Sequence, residues 1–96
     1  MNKSEIKDKL IGKLAELFAD KSIDADLLEY VDLIDDMGMD SMTFISIVVE
    51  IEVLFEIIIP DDALLMENFR SVENIVDIVV TEFETKSRME KYNDET

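Results

Sequence analysis

The sequence lacks several residue types on which enzymes and metalloproteins depend. Its 96 residues include no cysteine, no histidine and no tryptophan, and only one proline and two glycines. Without cysteine there is no disulfide, thiolate nucleophile or sulfur metal ligand, and without histidine the commonest general base is missing. No apolar run approaches the roughly 18 residues of a membrane span. We therefore expect a cytoplasmic protein that is not an enzyme and does not act at a membrane.

Basic residues are also scarce. Nine Lys and Arg stand against 24 Asp and Glu, which gives a net charge of −15. Such a field repels phosphate backbones, so a nucleic-acid partner is not expected, and it opposes self-association, which favours a monomer. Between residues 22 and 85 the only basic residue is Arg70. A protein partner that docks on this central segment should therefore be basic.

Hydrophobic periodicity predicts an all-α fold, because apolar residues recur at spacings of three and four along most of the chain. The predicted elements are a first helix over about 3–19, a long acidic connection over 20–40, a second helix over 41–56, a short third helix over 61–67 and a last helix over 72–83. Apolar residues within the connection predict that it packs on the bundle. We predict one domain over 1–85, a four-helix bundle, and a polar, disordered tail over 86–96.

The second predicted helix is apolar on two faces instead of one. At 100° per residue, the first face contains Phe44, Ile47, Val48, Ile51, Leu54 and Phe55. The second contains Met42, Ile45, Val49 and Val53, accompanied by Glu52 and Glu56. One face is enough for a small core. The other is either packed by a further helix or exposed as a docking surface for a partner.

Ser41 opens this second helix and is the most informative polar residue. Its surroundings, Gly38-Met39-Asp40-Ser41, do not form the G-x-S-x-G elbow of a serine hydrolase, and no histidine is present to activate the hydroxyl. A helix N-terminus can accommodate a phosphate, so Ser41 is either an ordinary cap or a residue that another enzyme modifies. The nearby Asp35, Asp36 and Asp40 lack the pattern of an EF-hand and indicate a solvated acidic loop.

Several of these features together resemble the acyl carrier protein family. They are the run Met37-Gly38-Met39-Asp40-Ser41-Met42, Phe55 fourteen residues after the serine, the pair Ile59-Pro60, the acidic pair Asp61-Asp62 and the tripeptide Arg70-Ser71-Val72. The resemblance covers about residues 3–83. It implies an acyl-carrier-like four-helix bundle with a long loop between the first two helices and a short third helix.

The resemblance also implies a function. Ser41, flanked by Asp40 and Met42 in the cofactor-binding motif, would receive 4′-phosphopantetheine from coenzyme A through a magnesium-dependent phosphopantetheinyl transferase. The chain would be a carrier, not a catalyst, with an acyl- or aminoacyl-loading ligase and downstream synthase or transferase enzymes as further partners. The residues corresponding to the family's recognition helix, which would contact these partners, are Ile45, Val49, Glu52, Val53 and Glu56.

The pathway is less clearly indicated. Thr43 and Ser46 occupy positions that are usually acidic in carriers of fatty acid synthesis. We therefore expect a discrete carrier of acyl or aminoacyl thioesters in polyketide or nonribosomal peptide biosynthesis. The alternatives are a housekeeping fatty-acid-synthesis carrier, a D-alanyl carrier and an acidic interaction module that carries nothing.

Overall fold

The computed structural model describes the backbone of residues 1–94 and the side chains of residues 1–87. Its α-helices are α1 (Lys3–Leu17), α2 (Ser41–Phe55) and α3 (Val72–Asp94). Shorter 3₁₀ turns are formed by Ala19–Lys21, Ala25–Tyr30, Asp61–Ala63 and Met66–Phe69. Over residues 1–94 no strand occurs, so the predicted all-α class is confirmed. No helix in that part of the chain is both long enough and apolar enough to cross a membrane.

The first helix is the centre of the packing. Asn2 caps it, because its side-chain oxygen accepts the N–H of Glu5 at 2.8 Å. Ile6, Leu10 and Leu14 lie on one stripe and are fully buried. α1 contacts both α2 and α3. The buried residues of the three helices and their connections form one cluster: Ile6, Leu10, Leu14, Phe18, Leu28, Leu33, Met37, Met39, Ile47, Ile51, Phe55, Ile57, Ile59, Phe69, Val72, Ile75, Val76 and Val79.

The long connection between α1 and α2 packs on this core, as predicted. Leu28 and Leu33 are completely buried, and Met37 is nearly so. Leu27 and Tyr30, which belong to the same apolar set, instead face solvent. The 3₁₀ turn Ala25–Tyr30 thus buries Leu28 and leaves these two side chains on its solvent side.

The predicted short third helix consists of two 3₁₀ turns separated by Leu64 and Leu65. The N–H of Leu65 donates to the carbonyl of Ala63 at 2.9 Å, a local bond that departs from the α-helical pattern. The side-chain amide of Asn68 also donates to Ala63, at 3.2 Å. The Ala63 carbonyl is therefore occupied by local partners, and Phe69 at the end of the second turn is buried in the core.

The last helix begins where the sequence predicts and extends further. Ser71 caps it through a 3.1 Å bond from the N–H of Asn74. The helix then runs to Asp94, past the predicted boundary between a domain ending at 85 and a disordered tail. No glycine or proline interrupts it, and such residues are what usually end helices. Residues 95 and 96 of the predicted tail lie outside the described residues, and the division into domain and tail stays a prediction.

Candidate functional site

The start of α2 is built around Asp40. Asp40 has an extended backbone, and its Oδ1 accepts the N–H of Thr43 at 2.8 Å, so it is the N-cap and Ser41 is the first helical residue. The hydrogen bond from the backbone N–H of Thr43 is the main cause that lowers the pKa of Asp40, and a hydrogen bond from the Thr43 hydroxyl lowers it further. Asp40 therefore remains a carboxylate at neutral pH, and Ser41 next to it is exposed to solvent.

The turn before Ser41 is held in place by the core. Gly38 has a φ of +65°, a left-handed conformation that glycine adopts at little cost. Its N–H donates to the carbonyl of Ile34 at 3.1 Å, and that of Met39 to the carbonyl of Leu33 at 3.0 Å. Met37 and Met39 are both buried. Two buried side chains thus anchor the segment that presents Ser41 to solvent.

The three aspartates of the acidic loop have separate tasks. Asp35 pairs with Arg70, Asp36 accepts the N–H of Asp32, and Asp40 caps α2. Among the residues that the structure describes, no group of three or more acidic side chains is arranged to hold a metal ion. What the site offers chemically is an exposed primary hydroxyl at the positive end of a fifteen-residue helix. A phosphate ester is well accommodated there.

The two apolar faces of α2 separate as predicted. Ile47, Ile51 and Phe55 are buried, and Phe44, Val48 and Leu54 pack against the core with partial exposure. On the other face the exposed fractions are 80% for Met42, 60% for Ile45, 51% for Val49 and 70% for Val53. Within the described part of the chain, the second face is therefore open to solvent and begins one residue after Ser41.

Glu52 and Glu56, which the sequence places beside this face, are also structural. A carboxylate oxygen of Glu52 accepts the N–H of Ile59 at 2.9 Å and thereby holds the segment that follows α2. Glu56 is the C-cap, with a left-handed φ of 54°. Its carbonyl accepts a 3.0 Å bond from the ammonium group of Lys86. Neither role is visible in the sequence, because each bond depends on the path of the chain after α2.

The structural roles of two basic residues, Arg70 and Lys21, were not predicted from the sequence. Arg70 binds the carboxylates of Asp32, Asp35 and Glu67 and so joins the acidic loop to the turn Met66–Phe69. The Nζ of Lys21 lies 3.7 Å from the position that a Cβ on Gly38 would occupy. Arg70 is the only basic residue in a long acidic segment, and this isolation was a signal that it pairs with acidic residues of the same chain. The sequence held no signal for the position of Lys21, because Lys21 lies seventeen residues before Gly38.

The fold and this exposed serine define a small helical protein that presents a hydroxyl at the start of a helix, beside an exposed apolar face. Residues 9–79 match the family model described as "Phosphopantetheine attachment site". Since the match covers more than half of the chain, the protein belongs to the phosphopantetheine attachment family.

A curated relative supports the same class. The chain is 25% identical over 81 residues to Aminoacyl carrier protein 1 of Bradyrhizobium diazoefficiens, which covers 84% of this chain and 89% of the relative. No solved structure matches the chain significantly.

Family membership establishes what the protein carries. It is a phosphopantetheine-bearing carrier, modified by a phosphopantetheinyl transferase, and is not itself a catalyst. The residues present fit the group, because the first residue of α2 is a solvent-exposed serine at the positive end of the helix. When bound, 4′-phosphopantetheine supplies the thiol for a thioester, which the chain lacks because it has no cysteine.

Proposed function

We propose that Ser41 is the attachment residue and that the protein carries aminoacyl or acyl thioesters between enzymes. The Ser41 oxygen would form a bond to the phosphorus that bears pantetheine, while the pyrophosphate bond of coenzyme A breaks. Adenosine 3′,5′-bisphosphate leaves, and a base of the transferase takes the hydroxyl proton. The observation that carries the proposal is the exposed Ser41 hydroxyl at the first position of a helix capped by Asp40.

The chain's contribution to this reaction is positional. Asp40 fixes the first turn of α2, and the buried Met37 and Met39 fix the preceding segment, so the hydroxyl is held in one place. A fixed nucleophile reduces the entropy lost in reaching the transition state. The exposed apolar face that starts at Met42 would bind the transferase and the later enzymes close to the attached group.

The attachment site is tested by intact mass. The protein is incubated with coenzyme A, magnesium and a broad-specificity phosphopantetheinyl transferase. The wild type should gain the mass of one phosphopantetheine, whereas Ser41→Ala should gain nothing. Ser46→Ala is the matched control, because Ser46 is also exposed on α2 and should be dispensable. An unmodified, folded wild type beside a working control carrier would favour the non-carrying interaction module instead.

The docking face is tested by the kinetics of the same reaction. Ile45→Ser should raise the KM of the transferase for the carrier, because Ile45 is exposed on the proposed face. Leu27→Ser is the control, since Leu27 is similarly exposed but lies in the turn Ala25–Tyr30. Equal KM values for both variants and the wild type would remove Ile45 from the proposed interface.

For the cargo we propose an aminoacyl thioester, in a polyketide or nonribosomal peptide pathway. The name of the Bradyrhizobium relative and the uncharged Thr43 and Ser46 support this choice. The phosphopantetheinylated protein is offered to aminoacyl-adenylating ligases with amino acids and ATP, and separately to a malonyl transferase with malonyl coenzyme A. Loading by a ligase supports the aminoacyl cargo, and loading with malonyl groups alone would contradict it and support an acyl carrier of fatty acid or polyketide synthesis instead.

A further inference from the structure

Arg70 lies at the centre of a cluster of ion pairs with the 32–36 turn, which precedes Gly38 and Ser41 in the chain. One guanidinium nitrogen, Nη1, donates to Asp32 at 2.7 Å and to Asp35 at 3.1 Å, and Nη2 donates to Glu67 at 3.2 Å. The bond to Asp32 is the main cause that raises the pKa of Arg70, so the residue is always charged. Arg70 therefore joins the acidic loop to the turn Met66–Phe69, just before α3 begins.

Asp32, the closest partner of Arg70, organises the turn that leads to Ser41. Its Oδ1 accepts the N–H groups of Ile34 at 2.9 Å and Asp35 at 2.7 Å, while its Oδ2 binds Arg70. The N–H of Asp32 donates in turn to Asp36 at 2.8 Å. Both oxygens of this carboxylate are thus used, and the shape of the 32–36 turn depends on where Arg70 holds it.

The backbone of Arg70 holds the same loop. The N–H of Leu33 donates to the carbonyl of Arg70 at 2.7 Å, and the carbonyl of Leu33 accepts the N–H of Met39 at 3.0 Å. Met39 immediately precedes the N-cap Asp40. A continuous path of hydrogen bonds therefore runs from Arg70 through Leu33 to Met39, the residue before the N-cap of α2.

The side chain of Arg70 adds a charge effect. With the guanidinium removed, Asp32, Asp35 and Glu67 would be left near one another without a counter-ion, and like charges at such distances repel. The repulsion between Glu67 and the two aspartates would displace the 32–36 turn from the turn Met66–Phe69. The buried Leu33, Met37 and Met39 would still hold the loop on the core, so the consequence is displacement of the turn, not unfolding.

We propose that Arg70 is a positioning residue for the modification of Ser41. Its guanidinium group fixes the 32–36 turn, which the backbone bonds of Leu33 join to Met39, and in this way it sets the position of Asp40 and the Ser41 hydroxyl. The inference rests on Ser41 being the attachment residue. Arg70 does not need to touch coenzyme A or the transferase, and its effect should appear in kcat more than in KM, because the docking face on α2 is unchanged.

The test compares Arg70→Gln with Lys7→Gln in transferase kinetics. Lys7 forms a 2.9 Å ion pair with Glu29 that joins α1 to the turn Ala25–Tyr30. Lys7→Gln therefore removes a partly exposed ion pair of the same long connection, as Arg70→Gln does, but at a different place. We expect Arg70→Gln to lower kcat about tenfold with little change in KM, as for a misplaced nucleophile. Lys7→Gln should keep the kcat of the wild type.

A second variant and a spectroscopic measurement separate positioning from general stability. Arg70→Lys keeps the charge but loses the planar fork that binds several carboxylates, so it should restore part of the lost kcat. In apo protein, the backbone amide resonances of Gly38, Met39 and Ser41 should shift in Arg70→Gln and stay in place in Lys7→Gln. If Arg70→Gln does not fold, Arg70→Lys and Asp35→Asn take its place in the same assays.

The proposal is overturned if Arg70→Gln is folded and modified with the kcat of the wild type, or if Lys7→Gln lowers kcat equally. It is also overturned if the amide resonances of Gly38, Met39 and Ser41 do not move in Arg70→Gln. Failure of the wild type to be modified, or modification of Ser41→Ala, would instead refute the proposed attachment residue. The two failures are therefore distinguishable in one set of samples.

Discussion

At the scale of single residues, Asp40 is the side chain on which the geometry of the site depends most directly. Its bond to the N–H of Thr43 fixes the first turn of the helix that carries Ser41. Asp40→Ala removes this cap and should lower the Tm by roughly 4–8 °C, the change expected from losing one helix cap in a domain of this size. Thermal unfolding followed by circular dichroism at pH 7 measures the effect.

Asp40→Asn separates the cap from its charge. Asparagine also caps helices, so this variant should unfold near the wild-type Tm at pH 7. The pKa of Asp40 is lowered in the folded state, so the ionised carboxylate stabilises the fold above its unfolded pKa and loses this contribution as the pH falls through the folded value. The wild type should therefore lose Tm relative to Asp40→Asn below about pH 4. A Tm difference that does not change with pH would contradict this assignment.

Replacing Glu56 should stabilise the protein, whereas Asp40→Ala should destabilise it. It ends α2 with a φ of 54°, a conformation that is costly for any residue with a Cβ. Glu56→Gly should therefore stabilise the protein by about 0.5–1 kcal/mol, since glycine is favoured at this position after a helix. Urea unfolding is the measurement. Glu56→Ala is the control, because it removes the carboxylate but keeps the Cβ, and a similar gain in that variant would show that charge, not backbone strain, is responsible.

At the scale of elements, the contact between α2 and the turn Met66–Phe69 decides how much space the core offers. The ring of Phe44 meets the buried ring of Phe69 edge to face, with centroids 5.1 Å apart. This pair fills the space between the two elements. A cargo chain attached at Ser41 would have to displace Phe44 in order to enter the bundle there.

Phe44→Ala should therefore open a cavity and let the bundle protect a bound acyl chain. The variant should lose up to about 3 kcal/mol of stability, because Phe44 is only partly buried. NMR spectra of core methyl groups, compared between the phosphopantetheinylated and acylated forms, should change in the variant and stay nearly constant in the wild type. Unchanged methyl shifts in acylated Phe44→Ala would show that the chain remains outside.

The elements also show what a sequence can predict. The two faces of α2, the Gly38 turn and the Ser71 cap follow from local spacing and backbone preference, and the structure has all three. The division of the third helix into two 3₁₀ turns depends on Asn68 and Ala63 in their folded positions. The pairing of Arg70 with Asp32 joins residues 38 apart, and no periodicity encodes it. Local structure was therefore predictable from the sequence, whereas the side-chain hydrogen bonds and ion pairs that orient the site were not.

At the scale of the whole molecule, two properties oppose each other. The net charge of −15 keeps copies of the protein apart at neutral pH, as the predicted monomer requires. At the same time the α2 face exposes Met42, Ile45, Val49 and Val53, and apolar surface of this kind favours association. A basic partner would satisfy both properties, because it neutralises the acidic residues and covers the apolar ones.

The charge repulsion between copies of the protein should weaken as the pH falls, because the sequence pI is about 4.1. Sedimentation velocity should show a monomer at pH 7 and low salt, and self-association near pH 4, where the repulsion has disappeared while the apolar face remains. Ile45→Ser combined with Val53→Ser should weaken that association, whereas Ile58→Ser, which alters an exposed residue beyond α2, should not. Circular dichroism in the same buffers confirms that the samples are folded. Dimers at pH 7 would show that charge repulsion does not prevent self-association. Equal association of all variants at pH 4 would show that the copies do not associate through the α2 face.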